Sequence, residues 1–406
     1  MLVAAGAGQS FAAVLINSSP RNGLSMVSRI LCAVVFLPLL TQSSFAAETQ
    51  ENLRLTLPQE MCAVVGVETG IYFDNIVLTR NTDQYQFEVS CPVGKTDDRR
   101  WSLTATPADV GSHSLTLTVR DAEGIPLAEA STQLHITTAD SGSDRDVTLL
   151  VVGDSLTHAT LWPNELARLL RQPGNPVWKM PGTHQPKNAA EGVAHEGYGG
   201  WTWQRFANHY EPNPDGTYRK RSSPFVFLDE SEIPVLDVAH YFDETNKGER
   251  PDVVFFLLGI NDCFSADPDD LKKTDAKIDT MLTHAETLLS AFRQAAPEAD
   301  LAICITTPPN SRESAFEENY KGRYPRWGWK QIQHRLVERL LQRYESQASN
   351  GGSETGQLFV VPTHLYLDPT AGYPNNNSVH PNAFGYQQIG SSAYSWLKWR
   401  LEQYAK

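Results

Sequence analysis

The chain has 406 residues, 41% of them hydrophobic and 20% charged, a composition that suits a globular protein long enough for two domains and excludes a disordered one. A formal net charge of −13 argues against a nucleic-acid or anionic-membrane binder, because attraction to phosphate needs clustered positive charge. The run Arg219-Lys220-Arg221 is the main local exception; it reads first as a solvated loop, with a grip on acidic sugars as the alternative.

Along the chain, residues 1–47 read as a leader. An apolar run of 11 residues, Ile30 to Leu40, follows Arg29 and precedes Thr41-Gln42-Ser43-Ser44-Phe45-Ala46, the layout of a signal peptide. It is short for a membrane span, so no stable membrane insertion is expected once it is removed, and a secreted or periplasmic protein is. Met26 is a second candidate start. Residues 48–138 carry short alternating runs such as Tyr85–Val89, Trp101–Ala105 and Ser114–Val119, each the pattern of a half-buried strand. They predict a small all-β, immunoglobulin-like sandwich. Residues 139–146, with Ala139-Asp140-Ser141-Gly142-Ser143-Asp144, read as a polar linker.

From 147 to 406 strand-like and helix-like segments alternate, which predicts an α/β domain with a parallel sheet flanked by helices. Strands are expected to begin at Val147, Val177, Val253, Leu301 and Leu358. Helical spacing runs through Leu271, Ile278, Met281, Leu282, Leu288, Leu289 and Phe292, and again through Ile332, Leu336, Val337, Leu340, Leu341 and Tyr344; these stripes are core. Beyond the leader there are four cysteines, Cys62, Cys91, Cys263 and Cys304. An oxidising compartment makes a Cys62–Cys91 bridge plausible, whereas Cys263 and Cys304 fit unpaired core thiols equally well. With no Cys-x-x-Cys pair and no His-Glu-x-x-His, neither metal nor cofactor is expected.

The chemistry is carried by four short phrases. The apolar run ending Val151-Val152-Gly153-Asp154-Ser155-Leu156-Thr157 stops at a small polar turn and leads into helical spacing. That order places the Ser155 hydroxyl at the carboxyl edge of a sheet, where open α/β sheets bind ligands. Downstream follow His195-Glu196-Gly197-Tyr198-Gly199-Gly200-Trp201-Thr202, then Gly259-Ile260-Asn261-Asp262, then Ser378-Val379-His380-Pro381-Asn382. Attack on an ester carbonyl needs a hydroxyl, a base, and donors aimed at the oxygen that becomes negative. Ser155 is the candidate nucleophile and His380 the candidate base. The Ser155 and Gly200 N–H groups and the Asn261 side-chain amide are candidate oxyanion donors, with Gly200 chosen because it has no Cβ to block close approach.

This ordered set resembles the SGNH hydrolases, or GDSL esterases, named for an essential Ser, Gly, Asn and His in four blocks. Ser155, Gly200, Asn261 and His380 fall on those four positions. The resemblance implies a three-layer, flavodoxin-like domain with its site at one sheet edge. One departure stands out: the family usually has an aspartate three residues before the histidine, and this chain has Asn377. Either Asn377 orients the imidazole, or Asp368 loops back to replace the acid, or the site is weakened and the protein binds more than it cuts.

The phrase His195 to Trp201 resembles that of SGNH carbohydrate esterases, which implies an acylated small-molecule or polysaccharide substrate, most simply an O-acetylated carbohydrate. Trp201, Trp203 and Trp327, with Tyr324 and Trp329, offer flat faces for sugar rings; packing is the competing use of each. The segment from Gln204 to Arg250 is expected to cover part of the cleft. A lipid or aryl esterase or thioesterase on the same machinery is the alternative enzyme, and a glycan-binding surface protein the alternative outside enzymes.

Overall fold

A computed structural model describes residues 53–211, 222–321, 324–345 and 356–404. The leader and Arg219-Lys220-Arg221 lie outside the described residues. Residues Glu51–Lys406 form one compact unit.

Seven strands come first: β1 (Glu60–Val64), β2 (Glu68–Tyr72), β3 (Gln86–Ser90), β4 (Lys95–Thr96), β5 (Arg100–Thr104), β6 (Gly111–Arg120) and β7 (Pro126–Thr137), with the one-turn helix α1 (Phe73–Ile76) after β2. They make a four-stranded sheet in the order β1-β7-β6-β3 and a three-stranded sheet β2-β5-β4. In β6, Leu115, Leu117 and Val119 are buried and alternate with partly exposed residues, the period-2 pattern of a strand with one wet face.

Ala139–Arg145 forms turns, and Asp146 already belongs to the next strand. The parallel sheet is built from β8 (Asp146–Gly153), β9 (Val177–Lys179), β10 (Glu196–Gly197), β13 (Val253–Leu257), β14 (Asp300–Cys304) and β15 (Leu358–Val361); β11 (Val226–Leu228) and β12 (Pro234–Leu236) form a separate hairpin. The order is β10-β8-β13-β14-β15, with β9 also on β8. All five residues of β13 are buried, the continuous apolar run of a strand covered on both faces. The helices are α2 (Ser155–His158), α3 (Leu161–Leu170), α4 (Trp203–Asn208), α5 (Val238–Thr245), α6 (Ile260–Cys263), α7 (Leu271–Ala295), α8 (Glu313–Tyr320), α9 (Arg326–Tyr344) and α10 (Ala383–Gln403). The two predicted stripes are the buried faces of α7 and α9. The described part of the segment from Gln204 to Arg250 carries most of α4, the β11–β12 hairpin and α5.

The β module is fused to the α/β body, which departs from the expected linker-joined domain. Cys62 and Val64 of β1 lie in the main core, and Leu365 of the body lies in the core of the module. Asn75 donates to the carbonyls of His364 and Leu367, both at 2.8 Å. Asp74 pairs with Arg326 and Lys330 of α9, and the His135 ring of β7 stacks on Trp399 of α10.

The plausible Cys62–Cys91 bridge is absent, and all four described cysteines are free. Cys62 sits in β1 and Cys91 just beyond β3, at opposite edges of the four-stranded sheet. Three strand spacings make roughly 14 Å, well beyond the ~7 Å limit between Cα atoms of a bridged pair.

Candidate active site

Two adjacent parallel strands end in the same device. β8 runs into Gly153-Asp154 and the short helix α2, whose first residue is Ser155; β13 runs into Leu258-Gly259 and the short helix α6, whose second residue is Asn261. β10 lies on the other side of β8, pairing Glu196 with Val152 and Gly197 with Gly153. The loops carrying Ser155, Gly200 and Asn261 therefore leave three neighbouring strands at one edge.

Local chemistry seats α2 there. Asp154 caps it by accepting from the Leu156 N–H at 2.9 Å, as N-cap carboxylates do. Burial pushes the Asp154 carboxyl up to about 7, against the pull of that N–H. A Cβ at Gly153 would stand 2.0 Å from Thr157 Oγ1, and one at Gly197 would stand 2.6 Å from Thr157 Cγ2. These two glycines let α2 sit directly on the sheet edge.

His380 reaches the site from the loop before α10. Its Nε2 lies 2.8 Å from Ser155 Oγ, and its Nδ1 lies 3.2 Å from Asn377 Oδ1. The same Oδ1 accepts from the backbone N–H groups of Val379 (3.2 Å) and His380 (3.0 Å). Two N–H donors settle which way the amide faces, since an NH₂ group there would meet them donor to donor. Nδ1 must then carry the proton, which leaves Nε2 as the acceptor for the Ser155 hydroxyl. Burial holds the His380 imidazole below its ordinary value, so the ring is neutral at pH 7 and able to take a proton.

Asp368 does not take the place of the missing acid. Its Oδ1 accepts from the Thr370 and Ala371 N–H groups at 2.8 and 3.0 Å and pairs with Arg99 of the β module at 2.8 Å. That carboxylate is spent on its own turn and on a cation from another part of the fold.

Gly200 is the third residue of the turn Tyr198–Trp201, closed by the Trp201 N–H on the Tyr198 carbonyl at 3.2 Å. Its φ is +77°, as position i+2 of a type II turn requires. A Cβ built there meets no protein atom within 4 Å, so within the fold the demand for glycine is conformational. Asn261 Nδ2 donates to the Trp201 carbonyl at 3.0 Å. Its second hydrogen remains as a donor.

Of the expected sugar platforms, Trp203 is core: it is buried in α4 and stacked on Phe256 at 5.4 Å between centroids. Trp201 is 7% exposed, enclosed by Tyr198, Phe206 and Arg205. Both placements correct the expectation. Tyr324 and Trp329 are also buried. Trp327 is half-buried with the Arg80 guanidinium over its ring at 4.6 Å. Among the described residues no group of three or more His, Cys, Asp or Glu is placed to hold a metal ion.

Two residues of the second phrase were not singled out by sequence reasoning. His195 is fully buried; its Nδ1 accepts from the Gly197 N–H and its Nε2 donates to Thr160 Oγ1, each at 3.0 Å. Burial and the neighbouring His184 and His158 push it down to about 3, so it is a neutral strut. Glu196 is fully buried beside it. Only their place within a glycine-rich phrase hinted at a role.

The GDSL-like lipase/acylhydrolase family model matches residues 151–388, more than half of the chain. A comparison with curated proteins finds no match. Similar solved structures include a carbohydrate esterase family 3 protein from Talaromyces cellulolyticus, 16% identical over 62% of this chain and 96% of that one, with a TM-score of 0.38. A family two carbohydrate esterase from Clostridium thermocellum, solved in complex with cellohexaose, is 13% identical over 83% of this chain and 93% of that one, with a TM-score of 0.34. A putative arylesterase from Agrobacterium tumefaciens is 16% identical over 62% and 98%, with a TM-score of 0.33. With the family model matching residues 151–388 of the parallel-sheet body, the chain belongs to the GDSL-like lipase/acylhydrolase family and is a carboxylic ester hydrolase.

Proposed function

We propose that the protein is an exported serine esterase that removes O-acetyl groups from a carbohydrate. The observation that carries the mechanism is the bonded series Ser155–His380–Asn377. As Ser155 Oγ attacks the ester carbonyl, its proton passes to His380 Nε2. The oxygen that becomes negative is met by the N–H groups of Ser155 and Gly200 and the free Asn261 amide hydrogen. Collapse expels the sugar hydroxyl, which takes the proton from Nε2; water then repeats the sequence on the acetyl-enzyme and releases acetate.

A carbohydrate is favoured by the polar surroundings. A cavity of about 350 Å³ is lined by Arg80, Asn81, Thr82 and Arg99 of the β module and by Ser311 and Thr370. Ser311 of that lining follows Asn310, which donates from its side chain to the Asn377 carbonyl at 2.8 Å and from its backbone to the Ser378 carbonyl at 2.9 Å. Tyr72, Phe73 and Pro369 also line it, but the polar groups predominate and offer hydrogen bonds to hydroxyl groups. We read the four-plus-three-stranded β module as an immunoglobulin-like sandwich that contributes this wall, and the leader as an export signal. Among the described residues no helix is long and apolar enough to cross a membrane.

The test is hydrolysis of a chromogenic acetyl ester by residues 48–406 beside Ser155→Ala, followed by esters of increasing acyl length and then acetylated polysaccharides. A serine-dependent rate that falls sharply beyond acetyl is expected. A rate that rises with chain length selects a lipid esterase, and a rate equal to that of Ser155→Ala selects a glycan-binding protein.

A further inference from the structure

The Glu196 carboxylate is fully buried, and each of its oxygens collects two donors. Oε1 accepts from the Thr183 N–H at 2.5 Å and the Tyr241 hydroxyl at 2.7 Å; Oε2 accepts from the Thr183 hydroxyl at 2.7 Å and the Tyr198 hydroxyl at 2.5 Å. Among the described residues no cation pairs with it. A buried carboxylate without a countercharge is expensive, and a neutral side chain of the same size would fill the space without that expense. What the carboxylate supplies is four acceptor sites and no donor, so four donors from three residues must all converge on it.

Those donors belong to three segments. Thr183 lies between β9 and β10, Tyr198 opens the turn that carries Gly200, and Tyr241 is on α5. Tyr198 is thus held twice, by its hydroxyl on Glu196 and by its N–H on the Gly153 carbonyl at 3.0 Å, two residues before Ser155. The far end of the turn is held by Asn261 on the Trp201 carbonyl. In a type II turn the central peptide is flipped relative to type I, so the direction of the Gly200 N–H depends on where the two ends of the turn are pinned.

We infer that Glu196 is a positioning residue for the oxyanion site: its carboxylate pins Tyr198, aims the Gly200 N–H, and ties that turn to α5. The inference rests on the reading of Gly200 as an oxyanion donor. Glu196 touches neither Ser155 nor His380 and acts through the turn alone. Glu196→Gln keeps the size but sets an NH₂ group against converging donors, of which the Thr183 N–H cannot turn round. Tyr198→Phe and Tyr241→Phe each remove one tie.

The experiment measures kcat and KM on the chromogenic acetyl ester in the full chain, with active sites counted by a fluorophosphonate that labels Ser155. For Glu196→Gln, kcat per labelled site should fall roughly ten- to hundredfold, the scale of a misplaced or lost oxyanion donor. KM should stay within about threefold and the pH midpoint of His380 should not move, because binding and the base are untouched. Tyr198→Phe should lower kcat in the same direction by about threefold or more, and it carries the test if Glu196→Gln does not fold. A role in stability alone would reduce the number of labelled sites and leave kcat per site within about twofold; that result, in either variant, overturns the inference. Asn261→Ala, which removes a donor outright, separates the failures. If it keeps full kcat while Ser155→Ala is dead, the oxyanion reading falls; if it loses kcat and the Glu196 and Tyr198 variants do not, only the positioning role falls.

Discussion

The stretch between β15 and α10 contains two side-chain turns of nearly the same shape and opposite electrostatics. Asn377 Oδ1 gathers the N–H groups of Val379 and His380, and Asp368 Oδ1 gathers those of Thr370 and Ala371. Each oxygen then takes a third donor: the His380 imidazole for Asn377, and the Arg99 guanidinium for Asp368. Asn and Asp make this turn equally well because only the side-chain oxygen is used. The difference lies in charge. The carboxylate sits where a permanent cation from the β module meets it, and the neutral amide sits beside a ring that must be uncharged at rest. Burial pulls the Asp368 carboxyl up, but its two N–H donors and Arg99 outweigh that, and it lies below the usual range.

The largest effect should come from the ring itself. His380→Ala removes the base and should lower kcat by roughly 10⁴-fold or more, measured on the acetyl ester at pH 8. Exchanging the two turns' functions comes next. Asn377→Ala should lower kcat by about tenfold or more, the worth of an orienting hydrogen bond, with Tm little changed. Asp368→Ala should do the reverse, keeping kcat within about twofold and losing on the order of 1–3 kcal/mol of stability as two turn N–H groups and Arg99 lose their acceptor. If Asp368→Ala abolishes turnover in folded protein, the assignment of Asn377 as the orienting group is wrong.

Asn377→Asp sharpens the comparison through pH. The wild-type ring is held low by burial, so kcat/KM should rise with pH through a midpoint below ~6.5. A carboxylate at 377 favours the imidazolium, and the midpoint should move upward by about one unit or more. A midpoint that stays put would mean that residue 377 does not face the ring in solution. The smallest effect belongs to Arg99→Gln. Because the Asp368 carboxyl is depressed, its contribution to stability is present above the unfolded value near 3.9 and is lost as pH falls through the lower folded value. Losing Arg99, whose side chain is half exposed, should shrink that contribution by at most about 1 kcal/mol. Urea stability at pH 7 should then fall by up to that amount, and the difference from wild type should vanish as the carboxyl is protonated in acid.

Much of the site was legible because it is encoded by contiguous phrases. The strand ending at Gly153, the serine after it, and the asparagine and histidine downstream were all readable from apolar runs that stop at small polar turns. The conformational demand at Gly200 was not readable: spacing shows a glycine, and only the backbone shows its positive φ. Trp203 was misread as a sugar platform because an aromatic residue near a loop looks alike in sequence whether it faces solvent or, as here, Phe256. Glu196 was passed over because its four donors come from three separate segments.

The sequence alone carries the parallel α/β body, five of its six strands, two of its three long helices and the order of the phrases holding Ser155, Gly200, Asn261 and His380. Those features follow from hydrophobic periodicity and turn chemistry acting over a few residues. The tertiary structure alone decided that Asn377 and not Asp368 supports His380, that Arg99 of the β module neutralises Asp368, that Cys62 and Cys91 stand at opposite sheet edges, and that the module shares core residues with the body. Each of these depends on which distant segments meet, and a buried charge or a bridged thiol is satisfied by whatever partner the packed chain brings within a few ångströms.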